Sequence, residues 1–391
     1  MELFPAMLIG GSPNSGKSVL TYNLTQKLRE RGVQHYVLRA APDGEGDWAS
    51  EADESITRTI LVPRTWTPAF VEHVCESLAH RPLPLVVDVG GRPTAWQEAI
   101  FNYCTHAVLL TPDESAHAAW LDMVNQHNLI LLADLRSELH GTNQVTATQP
   151  VLQGVMAGLE WGERISGPTF EALLDRVARL FAYDPAKLRR SHLASAPVET
   201  AIDLDRLAHA LDVPFTGDKA VWEPRHLTRL LDYLPGGTPL GLYGRGPNWL
   251  YAAVALLAYP APFYQFDVRL GWVTPPTLHL GLPAADAPLQ VHQQLRADHT
   301  RLAFAIPRAY LDYSEAQAWT VPSISLDQGL VLSGKLPLWL WTALALVYRD
   351  APWLAVYQPQ WGNQAIVVSS HTPEWPPGHL VVSHPSSREV T

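Results

Sequence analysis

The first 180 residues alternate between short apolar runs and amphipathic stretches. The run Ala6–Ile9 reads as a buried strand, and the segment after Lys17 carries Val19, Leu20, Leu24 and Leu28 on one helical face, with Gly32 as its stop. Strand-like runs recur at His35–Leu38, Leu83–Val87, Ala107–Leu110 and Leu129–Leu132. Between them lie helical patterns built on Phe70, Val71, Val74 and Leu78, and on Ala118 to Val124. Strands that alternate with helices predict a parallel sheet with helices on both faces. A further amphipathic helix is predicted over Gly167–Phe181. The proline-flanked, polar stretch Asp184–Val198 marks a domain boundary, placed at residue 195.

Beyond that boundary the pattern repeats itself. GRGPNWLYAAVALLAYPAPF begins at Gly244 and GKLPLWLWTALALVYRDAPW at Gly334. Each copy has a glycine, a basic residue, a proline, Trp-Leu, an apolar helix and an Ala-Pro exit, and each follows an apolar strand. This predicts a duplicated strand–loop–helix–strand unit and two related lobes, 196–287 and 288–391. The second lobe adds strands at Gln290–Leu295 and Arg301–Ile306.

Composition narrows the setting. Over 391 residues, 47% are apolar and 17% charged, as in folded soluble chains. A formal net charge of −10 argues against coating duplex DNA, but allows a local basic pocket for a small anion. Two cysteines, Cys75 and Cys104, give neither a disulfide scaffold nor a C-x-x-C zinc spacing. No signal peptide is visible, and the apolar runs fall short of a bilayer span, so a cytoplasmic location without membrane contact is expected.

The strongest chemical signal is Gly11-Ser12-Pro13-Asn14-Ser15-Gly16-Lys17-Ser18, a full match to G-x-x-x-x-G-K-[ST] between a strand and a helix. Glycines turn backbone N–H groups toward phosphate oxygens, and the helix N-terminus adds partial positive charge. Lys17 would reach the outer phosphates and Ser18 would help hold Mg²⁺. Asp88, at the end of the apolar run Leu83–Val87, supplies a metal-side carboxylate, and Gly91 completes D-x-x-G. ATP is the expected nucleotide by abundance. The turn Asp43-Gly44-Glu45-Gly46-Asp47 could carry a base or a second metal contact for phosphoryl transfer at Asp43 or Glu45, or be a solvated turn; both readings stay open.

The loops Gly244-Arg245-Gly246-Pro247 and Ser333-Gly334-Lys335, the two Trp-Leu helices and the strand end at Ser370-His371 resemble the ferredoxin-like CRISPR-associated ring nucleases of the Csx-three (Crn-three) type. The resemblance runs from about Leu289 to the end, with a partial copy over Thr238–Leu280; the whole chain is similar to fusions of that domain to an AAA-like P-loop domain. It implies binding of cyclic oligoadenylate, specifically cyclic tetra-adenylate, and cleavage assisted by Mg²⁺ or Mn²⁺. It also implies ligand contacts from Gly244, Arg245, Gly246, Ser333, Gly334 and Lys335, and catalytic roles for Asp267, Arg269 and His371. The chain departs from the family pattern at Tyr259-Pro260, at Arg349-Asp350, and at Gln358 and Gln360. Two outcomes follow from these departures: one composite site drawing Asp267 and Arg269 from one lobe and His371 from the other, or binding without cleavage. The alternatives for the whole chain are a P-loop kinase and an ATP-dependent sensor, and self-association into a homo-oligomer is left open.

Overall fold

A computed structural model describes residues 4–41, 66–160, 162–217, 219–284, 287–306, 313, 315–325, 327–359, 362 and 364–382. Asp43, Glu45 and Gln360 lie outside the described residues. The chain divides into two compact units, one running to Arg190 and including Val268–Gly271, the other comprising Ser191–Asp267 and the chain from Trp272 onward. Both copies of the repeat fall in the second unit.

The first unit is built from β1 (Ala6–Gly10), α1 (Lys17–Glu30), β2 (Tyr36–Ala40), α2 (Pro68–Ala79), β3 (Leu85–Val89), β4 (His106–Thr111), α3 (Glu114–Gln126), β5 (Ile130–Glu138), β6 (Gln144–Ala147), β7 (Leu152–Ala157) and α4 (Pro168–Leu180). Its strands form one seven-stranded sheet in the order β2-β3-β1-β4-β5-β7-β6. All pairs are parallel except β6 with β7. β1, an interior strand between β3 and β4, is buried throughout, and its side chains alternate between the two faces. Met7 and Ile9 join Leu20, Leu24 and Leu28 of α1 and Phe170, Leu173 and Val177 of α4 in one core. On the other face Trp120 of α3 stacks on Phe101, with ring centroids 6.2 Å apart.

Helix α5 (Pro185–Ala194) crosses the division. The second unit begins with β8 (Ala201–Asp203), α6 (Leu204–Ala210), β9 (Phe215–Thr216), β10 (Lys219–Ala220) and α7 (His226–Tyr233). Then come β11 (Leu240–Tyr243), α8 (Asn248–Ala258), β12 (Phe263–Asp267), β13 (Gly271–Val273), β14 (His279–Gly281), β15 (Gln290–Leu295), β16 (His299–Ala305), β17 (Thr320–Pro322), β18 (Gly329–Gly334), α9 (Leu338–Val347), β19 (Trp353–Gln358), β20 (Gln364–Ser370) and β21 (Leu380–Val382). A four-stranded sheet runs β13-β12-β11-β8 and a six-stranded sheet β15-β16-β18-β19-β20-β21.

The repeated sequences fold alike. β11–α8–β12 and β18–α9–β19 are each a helix joining two parallel, adjacent strands. Each helix starts behind a proline with extended backbone, Pro247 at φ −68°, ψ 152° and Pro337 at φ −63°, ψ 152°. α8 packs against α9 and touches both sheets. Trp249 and Trp339, one per helix, are buried to 1% and 0% exposure, so these indoles are core. The Thr342 hydroxyl of α9 reaches Gln265 Oε1 of β12 at 2.9 Å, tying the copies together in the interior. The chain is thus a mixed α/β protein with a large, mainly parallel sheet. Among the described residues no helix is long and apolar enough to cross a membrane.

Candidate functional site

The β1–α1 junction is shaped by backbone that side chains would obstruct. Gly16 caps α1 in the left-handed region, φ 83°, and a Cβ there would meet Leu159 Cβ at 2.5 Å. A Cβ on Gly11 would come within 2.0 Å of the Leu110 carbonyl oxygen. Asn14 takes φ 61°, a conformation that asparagine tolerates better than most residues. Ser137 of β5 pins the loop by donating to Ser15 O at 2.9 Å. No side chain caps α1, and no acidic residue stands in its first turn. The first-turn N–H groups and the positive end of a 14-residue helix therefore face the loop, an arrangement that suits an anion.

The charged groups predicted around this junction come together. Lys17 is 7% exposed and its ammonium lies 2.6 Å from Ser12 O, folded over the loop. Asp88, 3% exposed, sits opposite Ile9 of β1 and Arg39 of β2 in the parallel registers. A Cβ on Gly91 would touch Pro13 Cγ at 3.2 Å, so the turn after β3 lies against the loop. Gly11, Asn14, Ser15, Gly16, Lys17, Ser18, Asp88 and Gly91 thus occupy one end of the sheet.

Sequence reading missed Arg39. Its Nη1 lies 2.5 Å from Asp88 Oδ2 and 3.4 Å from Ser18 Oγ, so one guanidinium nitrogen lies within reach of both oxygens. The signal was an arginine in the otherwise apolar strand Tyr36–Ala40, in register with Asp88; only the pairing of β2 with β3 gives it meaning.

The next register row, one residue further along the strands, runs from Gly10 through Leu109 and Asp134 to Gln153. There, a cleft of about 490 Å³ is lined by Thr111, Asp113, His117, Asp134 and Arg136 among others. His117 Nε2 stands 2.9 Å from Asp134 Oδ2 across it.

In the second unit the two basic loops follow β11 and β18. Gly244 takes φ 118° and Gly334 φ 146°; a Cβ on Gly334 would meet Phe304 O at 2.4 Å. Arg245 and Lys335 are both exposed. Gly246 is packed on Leu204 and Tyr251, whose hydroxyl donates to Gly244 O at 2.7 Å. Burial pushes the Tyr251 phenol above its ordinary range. Ser333 is buried and accepts from Arg301 Nε at 3.1 Å; the guanidinium of that fully buried arginine lies 5.0 Å from the Tyr357 ring centre.

The expected catalytic residues do not share one end of these strands. Parallel pairing of β11 with β12 puts Asp267 beside the Gly244 loop, at the N-terminal end of α8. His371 follows β20, which pairs Ser370 with Trp353 at the start of β19, the edge opposite the Lys335 loop. Its Nε2 is 3.3 Å from Arg349 O, and the Arg349 guanidinium covers the Tyr259 ring at 4.5 Å, beyond the C-terminal end of α8. Asp267 and His371 therefore lie toward opposite ends of that 11-residue helix, which is about 16 Å long at 1.5 Å per residue. This strand order does not bring the two residues together. Arg269 belongs to the first compact unit and Asp267 to the second.

Hard oxygen donors at Ser18 and Asp88 fit Mg²⁺, which commonly takes one or two protein ligands and completes its shell from phosphate and water. The cationic nitrogen already lying between those oxygens shows that the spot suits positive charge. Among the described residues no cluster of three or more His, Cys, Asp or Glu could hold a metal alone.

Residues 305–382 match the family model described as CRISPR-associated protein (Cas_csx3). The match supports a CRISPR-associated C-terminal region spanning the second copy of the repeat.

Proposed function

We propose that this chain is a CRISPR-associated, P-loop nucleotide-binding protein that takes ATP–Mg²⁺ at the β1–α1 junction and binds cyclic oligoadenylate with its ferredoxin-like second unit. The observation that carries the first half is the convergence of Lys17, Ser18 and Asp88 at an uncapped helix N-terminus. Lys17 neutralises outer phosphate charge, α1 offers backbone N–H groups, and Ser18 with Asp88 would hold Mg²⁺, which when bound draws charge from the phosphates. The cleft beside Asp134 leaves room for the nucleoside.

For the second half, the Csx-three resemblance implies the ligand class, and the matched region supports a CRISPR-associated role for this part of the chain. The two glycine loops, each with an exposed cation, supply the chemistry for a ring of phosphates. The separation of Asp267 from His371 favours binding over cleavage. A kinase reading would place the acceptor near Asp43 and Glu45.

Titration calorimetry with ATP–Mg²⁺ and with cyclic tetra-adenylate tests both halves. Lys17→Ala should weaken ATP by about 30-fold or more while sparing the ring, since losing a buried charged contact costs about 2–5 kcal/mol. Arg245→Ala with Lys335→Ala should do the reverse. Mass spectrometry should return the ring intact with Mg²⁺ or Mn²⁺. Linear adenylates that vanish in Asp267→Ala would overturn the binding-only reading and restore the ring nuclease.

A further inference from the structure

Arg39 stands where the two oxygen donors expected to hold Mg²⁺ converge. Its Nη1 is 2.5 Å from Asp88 Oδ2 and 3.4 Å from Ser18 Oγ. The side chains are 17% and 5% exposed, so the pair is shielded from solvent and little screened by salt. The parallel register of β2 and β3 sets Arg39 directly across from Asp88, and α1 delivers Ser18 from the other side. The sheet, and not a flexible tip, holds the guanidinium there.

Two cations cannot share this space. A Mg²⁺ ion bonds oxygen at about 2.0–2.1 Å, closer than any guanidinium contact, and two like charges at such a distance repel strongly in a shielded site. We propose that Arg39 is a resident cation that satisfies Ser18 and Asp88 in the nucleotide-free protein, and that Mg²⁺ must displace it to enter with the nucleotide. This rests on the ATP–Mg²⁺ reading of the β1–α1 junction and deepens it: Arg39 is a positioning residue that sets the metal requirement of that site.

The displacement has opposite consequences with and without metal. In EDTA, Arg39 offsets the Asp88 charge that would otherwise repel phosphate, so it supports metal-free binding. In Mg²⁺ it is a competitor. Removing it should therefore weaken metal-free ATP binding and lower the Mg²⁺ concentration needed for half-saturation.

The test uses the full chain and a fluorescent ATP analogue, titrated in EDTA and then at fixed analogue against MgCl₂. Arg39→Gln should shift the Mg²⁺ midpoint down by about tenfold, equivalent to about 1.4 kcal/mol, and weaken the EDTA titration. Arg39→Lys, a cation without the planar fork, should fall between Arg39→Gln and the natural protein. Melting curves without nucleotide establish that each variant is folded. If Arg39→Gln melts early, the Arg39→Lys midpoint decides: an intermediate value supports displacement and an unchanged one overturns it. Weakening of both titrations in parallel would reduce Arg39 to a structural ion pair and overturn the proposal. Binding that survives Lys17→Ala, or no binding by the natural protein, would overturn the nucleotide reading itself and this proposal with it. A normal Lys17 dependence with an unmoved Mg²⁺ midpoint overturns the proposal alone.

Discussion

The loop after β1 and the loops after β11 and β18 are all glycine turns between a strand and a helix, yet they are built differently. In the first, the cation Lys17 is buried and folded onto its own loop, and Asp88 and Arg39 reach the junction from neighbouring strands of one sheet. In the second and third, Arg245 and Lys335 stand exposed, and the acid and histidine expected to work with them lie at opposite ends of α8. A preorganised pocket and a pair of solvent-facing contacts should fail in different ways, and that difference can be broken experimentally.

The largest effects should come from the helices behind the loops. Trp249 and Trp339 fill equivalent core positions, so either Trp→Ala change should cost about 3–5 kcal/mol. Urea unfolding followed by far-UV circular dichroism measures it; a loss below about 1 kcal/mol would mean that these indoles are not core. Smaller, and sharper as a comparison, are the loop glycines. Gly16→Ala and Gly334→Ala combine positive φ with backbone or side-chain atoms at 2.5 and 2.4 Å, and should cost about 2–3 kcal/mol. At Gly244 the nearest atom to a new Cβ is 3.4 Å away, so Gly244→Ala should cost about 1 kcal/mol. Equal costs at Gly244 and Gly334 would contradict the geometric difference between the copies.

How far the sequence reaches follows the same division. The Gly11–Ser18 loop is legible because its chemistry falls within eight residues at one strand–helix boundary. The duplicated β-α-β is legible because both copies keep the Pro-x-Trp-Leu entry. Arg39 was invisible because its partner is 49 positions away and is met only when β2 pairs with β3. The separation of Asp267 from His371 was invisible for a like reason: motif order says nothing about which edge of a sheet a strand end reaches. The buried Arg301 beneath Ser333 is a third case, since an arginine in a strand reads as solvent-facing until β16 is seen beside β18.

Salt sharpens the comparison at lower amplitude. Exposed cations meeting phosphates release counterions, so raising NaCl from about 50 to 200 mM should weaken cyclic tetra-adenylate binding about sevenfold if two phosphates are neutralised at a slope of roughly −0.7 each. ATP held by the buried Lys17 should respond less. The reverse order in parallel titrations would mean that the exposed loops are not the ring's contacts.

Acid should have the mildest effect, and it acts on both units through histidines whose pKa lies below the ordinary value. Burial lowers His106 in β4 of the first unit. In the second unit burial also lowers His226, with Arg225 and Arg229 adding to it against Glu223. Its Nδ1 accepts a hydrogen bond from the Glu223 backbone N–H at 3.0 Å, which a proton there would break. Near pH 7.5 these imidazoles are neutral folded or unfolded. As pH falls through about 6.5, the unfolded chain takes up protons that the folded chain resists, so stability is lost on the acid side. Melting temperatures measured between pH 7.5 and 5.5, above the carboxylate range, should decline, and His226→Gln should flatten the decline of the second unit's transition alone. A decline left intact by that change would place the acid sensitivity elsewhere. One that flattened in both units' transitions would show that the two units do not unfold separately.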